Sequence, residues 1–493
     1  MSQYMAFDIG STSGRAIIGQ ITDDGILETS EIHRFQTGMI QINDSWHWNI
    51  FNFFEEMKSA LKKANETNQA ALCSFAIDTW GVDFGLVTKQ GEILGLPYAY
   101  RDNRTEGIPE AFFKILDRAD VYDLTGIEVM QFNTLYQLYS MTTNKSKLLD
   151  CARSLLFIPD LLNFLFTGLK STEFSFATTS QMFNPKTDQW EKKILDKLGV
   201  PLQLMNDVVL PGTPIGGLRD SIVKETNSSN ISVVSTVSHD TGAAVAAVPA
   251  EDDHWAYISS GTWSIMGVKS KTPVITDKTF DLNFSNEGSV NGGFCLQKTL
   301  TGFWILEQFK KSEKELISYN HERLIGKAQH APGFISVIDP CDSLFLNPSN
   351  MGKALANYLI DRGQKVPDAP SHMVRLILES LAFKYRQTLD QIKQVCDKSI
   401  NRIHIIGGGA RNYLLNQFTA NATGLPVIAG PYEGTAIGNI IVQAISDKSI
   451  SDIQQGRDLI KNSVKLKRFE PENCDQWESE YNKYLKIINF ENE

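Results

Sequence analysis

No two cysteines of this chain stand close enough to make a CxxC motif; the six lie at 73, 151, 295, 341, 396 and 474. That excludes the common structural zinc sites and a thioredoxin-type redox centre. The thiols are expected to be reduced and mostly buried. A basic surplus is missing too: 47 Lys and Arg against 57 Asp and Glu leave a net charge of -10. Non-specific binding to nucleic acid or to an anionic membrane is therefore not expected. The longest apolar stretch, 155–166, is broken by Pro159 and Asp160 and is too short to span a bilayer. The opening MSQYMAFDIG has neither a basic n-region nor a cleavable apolar run, so the expected compartment is the cytoplasm. Neither GxxxxGK[ST] nor GxGxxG occurs, so a nucleotide would not be held by a P-loop or a Rossmann turn.

What the chain does have is a repeated hairpin. In AFDIGSTSGRAIIGQI, residues 6–21, two apolar runs flank Asp8, the small-residue cluster Gly10-Ser11-Thr12-Ser13-Gly14, and Arg15. A plain hairpin needs only two turn residues. About 250 residues on, AYISSGTWSIMGV (256–268) repeats the plan: apolar run, hydroxyl-and-glycine turn, apolar run. Two similar halves, each opening with such a hairpin, follow from this echo. The expected domains are 1–248 and 249–493. Strand-like and helix-like segments alternate, which favours α/β architecture. Residues 72–77 read as a strand entering Asp78, 231–237 as a strand entering Ser238-His239-Asp240-Thr241, and 110–199 as mainly helical. A long helix is expected over 373–396, then a strand at 403–406 that runs into Gly407-Gly408-Gly409, and a helix over 434–445.

These junctions carry the candidate chemistry. Backbone N–H groups and hydroxyls of the two turns suit a phosphate, and Arg15 adds charge or braces the turn. Asp8, beside the first turn, suits a hydrated Mg²⁺. Three glycines between a strand and a helix let a flat ring approach the backbone, or simply make a tight turn. Asp240 reads equally as a general base or as a helix N-cap. IDTWGVDFGLV (77–87) sets Asp78, Thr79, Trp80, Gly81 and Asp83 together, which suits a sugar or a structural turn with a core tryptophan.

Taken in order, the turn at 8–15, SHDT (238–241), SSGTWS (259–264) and GGG (407–409) resemble the FGGY carbohydrate kinases of the actin/hexokinase-like superfamily. The resemblance implies two ribonuclease-H-like domains, with ATP and sugar meeting in the cleft between them. It places the catalytic base on Asp240 and the sugar contacts on Gly81, His239, Asp240, Thr241 and position 299. It places ATP contacts on Ser11, Thr12, Ser13, Gly14, Arg15, Thr262, Gly408 and position 307. Longer stretches, among them EIHRF (31–35), IDTWGVDF (77–84), YRDNRT (100–105), NEG (286–288) and IGGGARNYLLNQ (406–417), narrow it to a branch that phosphorylates O1 of L-rhamnulose. Thr299 and Glu307 depart from that pattern, where an asparagine and a glutamine are expected, and Thr299 offers one hydroxyl in place of an amide. The implied partners are a 6-deoxy-L-ketohexose and ATP with Mg²⁺, acting on a monomer or homodimer. The alternatives are L-fuculose as acceptor, another sugar or polyol kinase of the family, or a catalytically dead sugar sensor.

Overall fold

Residues 4–9 are apolar almost without interruption because their strand is covered on both faces. In a computed structural model that describes residues 2–67, 71–229 and 231–488, the strand Ser2–Ile9 lies inside a six-stranded sheet. Alternate side chains leave opposite faces. Met5, Phe7 and Ile9 pack with Phe53, Met57, Phe75 and Ile77, under the helix Ile50–Thr67. Tyr4 and Ala6 pack with Ile437, Ile440, Ile441 and Ala444 of the helix Gly434–Ser446.

In chain numbers the sheet order is 214–217, 232–234, 72–79, 2–9, 13–21, 27–36. Strands 2–9, 72–79 and 232–234 run parallel, while 13–21 and 27–36 continue the sheet antiparallel. The first hairpin is tighter than the sequence suggests. Ser13, Gly14 and Arg15 already belong to the strand Ser13–Ile21, Arg15 pairs in register with Asp8, and only residues 10–12 turn. Gly10 N–H donates to Ser13 C=O across that turn (3.0 Å).

A second unit repeats the plan. Strand Trp255–Ser260 pairs antiparallel with Trp263–Ser270 and parallel with Arg402–Ile406. Arg402–Ile406 pairs parallel with Val427–Ala429, and Lys467–Phe469 closes the edge antiparallel. Here Gly261 N–H donates to Trp263 C=O (2.9 Å). The 26-residue helix Pro370–Val395 covers the expected helix except Cys396, which caps it in extended conformation.

The contacts divide the chain otherwise than by the single break expected between 248 and 249. The first unit holds Met1–Glu251, Lys269–Leu296 and Gly434–Val464, and the second holds Asp252–Val268, Gln297–Glu433 and Lys465–Glu493. Tyr4, Ala6 and Ile17 explain part of this: the apolar face they present needs the helix Gly434–Ser446 as its cover. The region 110–199 is helical only in short pieces. Its apolar run splits into the strand Ser154–Phe157 and the helix Ile158–Thr167, with Pro159 in the first turn of that helix. The thiols are mostly not buried: Cys73, Cys151, Cys341 and Cys474 are exposed, Cys295 alone is buried, and none of the six forms a disulfide. Among the described residues, no helix is long and apolar enough to cross a membrane.

Candidate active site

The carboxyl ends of parallel strands are where an open α/β sheet leaves room for a ligand. In the first unit these ends carry acids. Asp8 and Asp78 sit in register on adjacent parallel strands, and the chain leaving Ser232–Val234 reaches Asp240. Asp78 is fully buried. Its Oδ2 accepts from Asn439 Nδ2 (2.6 Å), while its Oδ1 has no hydrogen-bond partner. Burial, reinforced by the like charge of Asp8, pushes its pKa well above the usual carboxylate range. Asp8 itself pairs with Arg15. Asn439 is held by Gln443, whose amide also bonds Ser74 Oγ and Met5 C=O. An isolated apolar helix would not keep two buried amides one turn apart. Their i, i+4 spacing on the glycine-punctuated helix was the available sequence signal for this support.

Asp240 is not a cap. The N-cap position of the helix Asp240–Ala246 falls to His239, and Asp240 is its first helical residue. Its Oδ1 accepts from Thr241 N–H (2.6 Å), and the side chain remains 38% exposed. Burial of the pocket floor raises its pKa, the neighbouring His239 pulls it back, and Asp8 raises it again. The helix is seated by backbone contact: a Cβ at Gly438 would lie 1.9 Å from Ala243 C=O.

His239 faces three groups. Its Nδ1 lies 2.7 Å from Glu287, as an ion pair and not a well-aligned hydrogen bond, and its Nε2 lies 3.5 Å from Asp240 Oδ1. A Cβ placed on Gly81 would sit 3.4 Å from Nε2, so the open side of Gly81 looks onto this ring. Burial alone would depress the imidazole; Glu287 outweighs it and holds the pKa at about 9. Behind the ring, the buried Glu173 accepts from the Ser175, Phe176 and Ser238 N–H groups, and Ser175 Oγ accepts from His239 N–H. Burial raises Glu173 to about 7, with those donors opposing it. Glu173 did not stand out in the sequence, and Glu287 entered only within the NEG stretch, with no role attached. Each is a lone acid among small or hydroxyl residues, TEFSFATTS and SNEGS.

The 79–83 turn is both a wall and a strut. Thr79 N–H donates to Ser238 C=O, tying it to the segment of His239. Val82 holds φ at 69°, a left-handed conformation that a β-branched residue rarely adopts. Thr134 Oγ1 donates to its carbonyl (2.6 Å) and helps fix it there. Asp83 is buried and accepts from Trp48 Nε1, Trp80 Nε1, Tyr100 N–H and Gln137 Nε2. Burial raises it to about 6 despite these four donors. Trp80 thus serves as a packed strut, with Trp48 4.1 Å away ring to ring. Arg104 joins the same cluster through Gln137 and the face of Tyr98.

In the second unit the three-glycine turn closes on the hairpin. A Cβ on Gly409 would overlap Ser260 Oγ, and Gly407 has a φ of 81° beside Ser260 C=O. Gly408 differs: it is exposed, and the space over it is open. Thr262 is exposed at the hairpin tip, where its carbonyl accepts from Trp304 N–H (3.1 Å). Thr299 is half-buried on the strand Phe294–Thr301, and Glu307 is exposed on the helix Trp304–Ser312. In the first unit, Thr12 is exposed and Ser11, Ser13 and Arg15 are half-buried. Gly14 is buried, and a Cβ there would strike the Phe35 ring, so packing alone requires this glycine. Among the described residues, no group of three or more His, Cys, Asp or Glu is arranged to hold a metal ion.

Paired sheets of this hairpin-plus-parallel kind, with acids at the strand ends, define the two-domain sugar-kinase fold. A xylulose kinase from Lactobacillus acidophilus superposes with a TM-score of 0.82 at 14% identity, covering 99% of this chain and 98% of that one. A Plasmodium falciparum glycerol kinase with ADP gives a TM-score of 0.79 at 14% identity, covering 99% and 98%. The N-terminal domain model of the FGGY family of carbohydrate kinases matches residues 3–247, and its C-terminal domain model matches 256–446. The chain belongs to the FGGY family of carbohydrate kinases, and is an ATP-dependent sugar kinase. Among its relatives, a rhamnulokinase from Bacteroides thetaiotaomicron is 42% identical over 97% of this chain and 98% of its own length. One from Bacillus subtilis is 35% identical over 96% of each.

Proposed function

We propose that this kinase phosphorylates L-rhamnulose at O1, with Asp240 as the general base. The observation that carries this is the state of Asp240: a partly open carboxylate at the first residue of a helix, under the influence of Asp8, without cap duty. Asp240 takes the proton of the sugar O1 hydroxyl as the O1–P bond forms and the bond to the leaving ADP breaks. Gly81, His239 and Thr241 surround the acceptor hydroxyl, and Thr299 contributes its single hydroxyl to the sugar. Residues 11–15 and Thr262 hold phosphate, Gly408, with open space above it, takes the adenosine side, and Glu307 contributes an ATP contact. The buried, unpartnered Oδ1 of Asp78 next to Asp8 marks an acid pair that fits a cation. Asp8 is the residue that would hold Mg²⁺, through water. When bound, Mg²⁺ supplies neutralising charge to the transferring phosphates.

L-rhamnulose is preferred over L-fuculose because relatives named rhamnulokinase match nearly the whole chain at 34–42% identity. A cytoplasmic setting fits six cysteines outside any disulfide. The test is sugar-dependent ADP release with L-rhamnulose, L-fuculose, L-ribulose and L-xylulose. Asp240→Asn should lower turnover with L-rhamnulose by about 10²–10⁴-fold, with nucleotide binding retained. Near-normal turnover in that variant removes the base assignment, and a preference for L-fuculose removes the named sugar.

A further inference from the structure

The His239 ring is buried, yet it lies against two carboxylates. Its side chain is 11% exposed and that of Glu287 13%. A neutral imidazole needs no such neighbour, and a buried carboxylate without a countercharge is costly. Each group therefore accounts for the other's charge. The chain also spends structure on fixing the pair. Gly288 N–H, next to Glu287, donates to Thr178 Oγ1 (2.8 Å), and Ser175 Oγ accepts from His239 N–H (3.1 Å). Both anchors lie on the helix Phe174–Thr179, so one short helix sets both ends of the pair.

We propose that Glu287 is a positioning residue for phosphoryl transfer: it fixes the His239 ring, and a positive charge on it, with Nε2 turned toward the Asp240 carboxylate and the open side of Gly81. This deepens the kinase reading above and rests on Asp240 being the base. Three acids, Asp8, Asp78 and Asp240, compete for negative charge at these strand ends. Arg15 answers Asp8. Asp240 has no arginine or lysine of its own among its described contacts, and His239 is the cation that opposes its protonation. An imidazolium Nε2–H also offers a donor where the sugar's oxygens approach Gly81. Without Glu287, burial favours the neutral ring, and Asp240 loses the charge that keeps it ionised.

The groups facing His239 are Glu287 at Nδ1, Asp240 at Nε2, Glu173 behind the ring, and the Phe176 ring at 6.2 Å. Those bearing on Asp240 are His239, Asp8, Asp78, and the Thr241 amide and hydroxyl. Glu287 and Asp240 lie at opposite nitrogens of the ring; loss of the Glu287 charge by itself would lower the Asp240 pKa, so an upward shift of Asp240 in a Glu287 variant reports the lost charge on the ring.

Two readouts test this. Nitrogen NMR of the full chain with labelled histidine reads the ring directly, without turnover. In the wild type, His239 should give imidazolium shifts at about neutral pH; in Glu287→Gln the ring should stay neutral down through the acid limb of the activity profile. The acid limb of the kcat/KM profile for sugar-dependent ADP release should then move up by about one unit, and kcat/KM at slightly acid pH should fall about tenfold. Glu287→Asp should restore most of both. A neutral His239 in the wild type overturns the proposal, even if every variant fails to fold. A Glu287→Gln enzyme with an unmoved acid limb also overturns it. Absence of sugar-dependent ADP release in the wild type would instead strike the kinase reading, and would leave the NMR result standing.

Discussion

Gly438→Ala should be among the most damaging single-methyl additions in the first unit. A Cβ at this position would lie 1.9 Å from Ala243 C=O, 2.8 Å from its carbonyl carbon and 3.3 Å from Ala247 N. The nearest of these is about 1.5 Å short of ordinary van der Waals contact. All three obstacles are backbone atoms, so no rotamer change relieves the clash; the helices Asp240–Ala246 and Gly434–Ser446 must separate. Overpacking costs about 1–3 kcal/mol, and a rigid obstacle puts this case at the upper end. Separation would also stretch the Asn439–Asp78 hydrogen bond (2.6 Å), worth about 1.5–3 kcal/mol as a bond to a charged or strongly polar acceptor. A loss of about 3 kcal/mol corresponds to a fall in melting temperature of about 5 °C for a unit of this size. Turnover should fall about 10²-fold, because a shift of about 1 Å in the helix that carries Asp240 spoils the reacting geometry. Differential scanning calorimetry and the ADP-release assay measure both. Gly434→Ala is the control on the same helix: its Cβ would meet Ala244 at an ordinary 3.7 Å, and it should melt like the wild type. Equal melting and turnover in Gly438→Ala and the wild type would refute the backbone-contact argument.

The hairpins were legible because their pattern is local: apolar runs and a hydroxyl-glycine turn follow one another in the chain. The strand-end position of Asp8 and Asp78 was legible for the same reason, since each closes an apolar run, and Asp240 follows the run 231–237 with two residues between. What supports them was not. Asn439 reaches Asp78 across 361 residues, and Glu287 meets His239 from a segment that the repeat assigns to the other half. Such partners are set by tertiary packing, which no short-range periodicity records. Gly14 and Gly408 show the same limit from the other side. As letters they are identical; one is required by the Phe35 ring and the other has open space above it. Trp80 read as a sugar platform or a core residue, and Asp83 decides the matter by holding its indole N–H inward. The N-cap reading of Asp240 failed by one residue, which is the usual error of assigning a helix boundary from sequence.

Asp83→Asn should destabilise the fold by about 1–3 kcal/mol. The amide oxygen can serve Trp48, Trp80 and Tyr100, but the amide nitrogen then meets Gln137 Nε2, and Gln137 cannot flip while its Oε1 accepts from Arg104. Thermal melting and tryptophan fluorescence check this, and an unchanged melting point would mean the cluster is not one network. Glu173 gives a pH signature. Burial raises its folded pKa from 4.5 to about 7, so between those values the folded chain holds a proton that the unfolded chain has released. Its contribution is therefore fully present below about pH 4.5 and declines as pH rises toward about 7. Glu173→Gln removes the titration and leaves a constant offset, because one amide hydrogen opposes the Ser175 N–H group. The melting-temperature difference, wild type minus variant, should thus shrink or turn negative from about pH 4.5 to about pH 7 and then level off. A difference that grows with pH would mean that the three N–H donors and the Ser175 hydroxyl, which also donates to the carboxylate, outweigh its burial, and that Glu173 is held ionised behind His239.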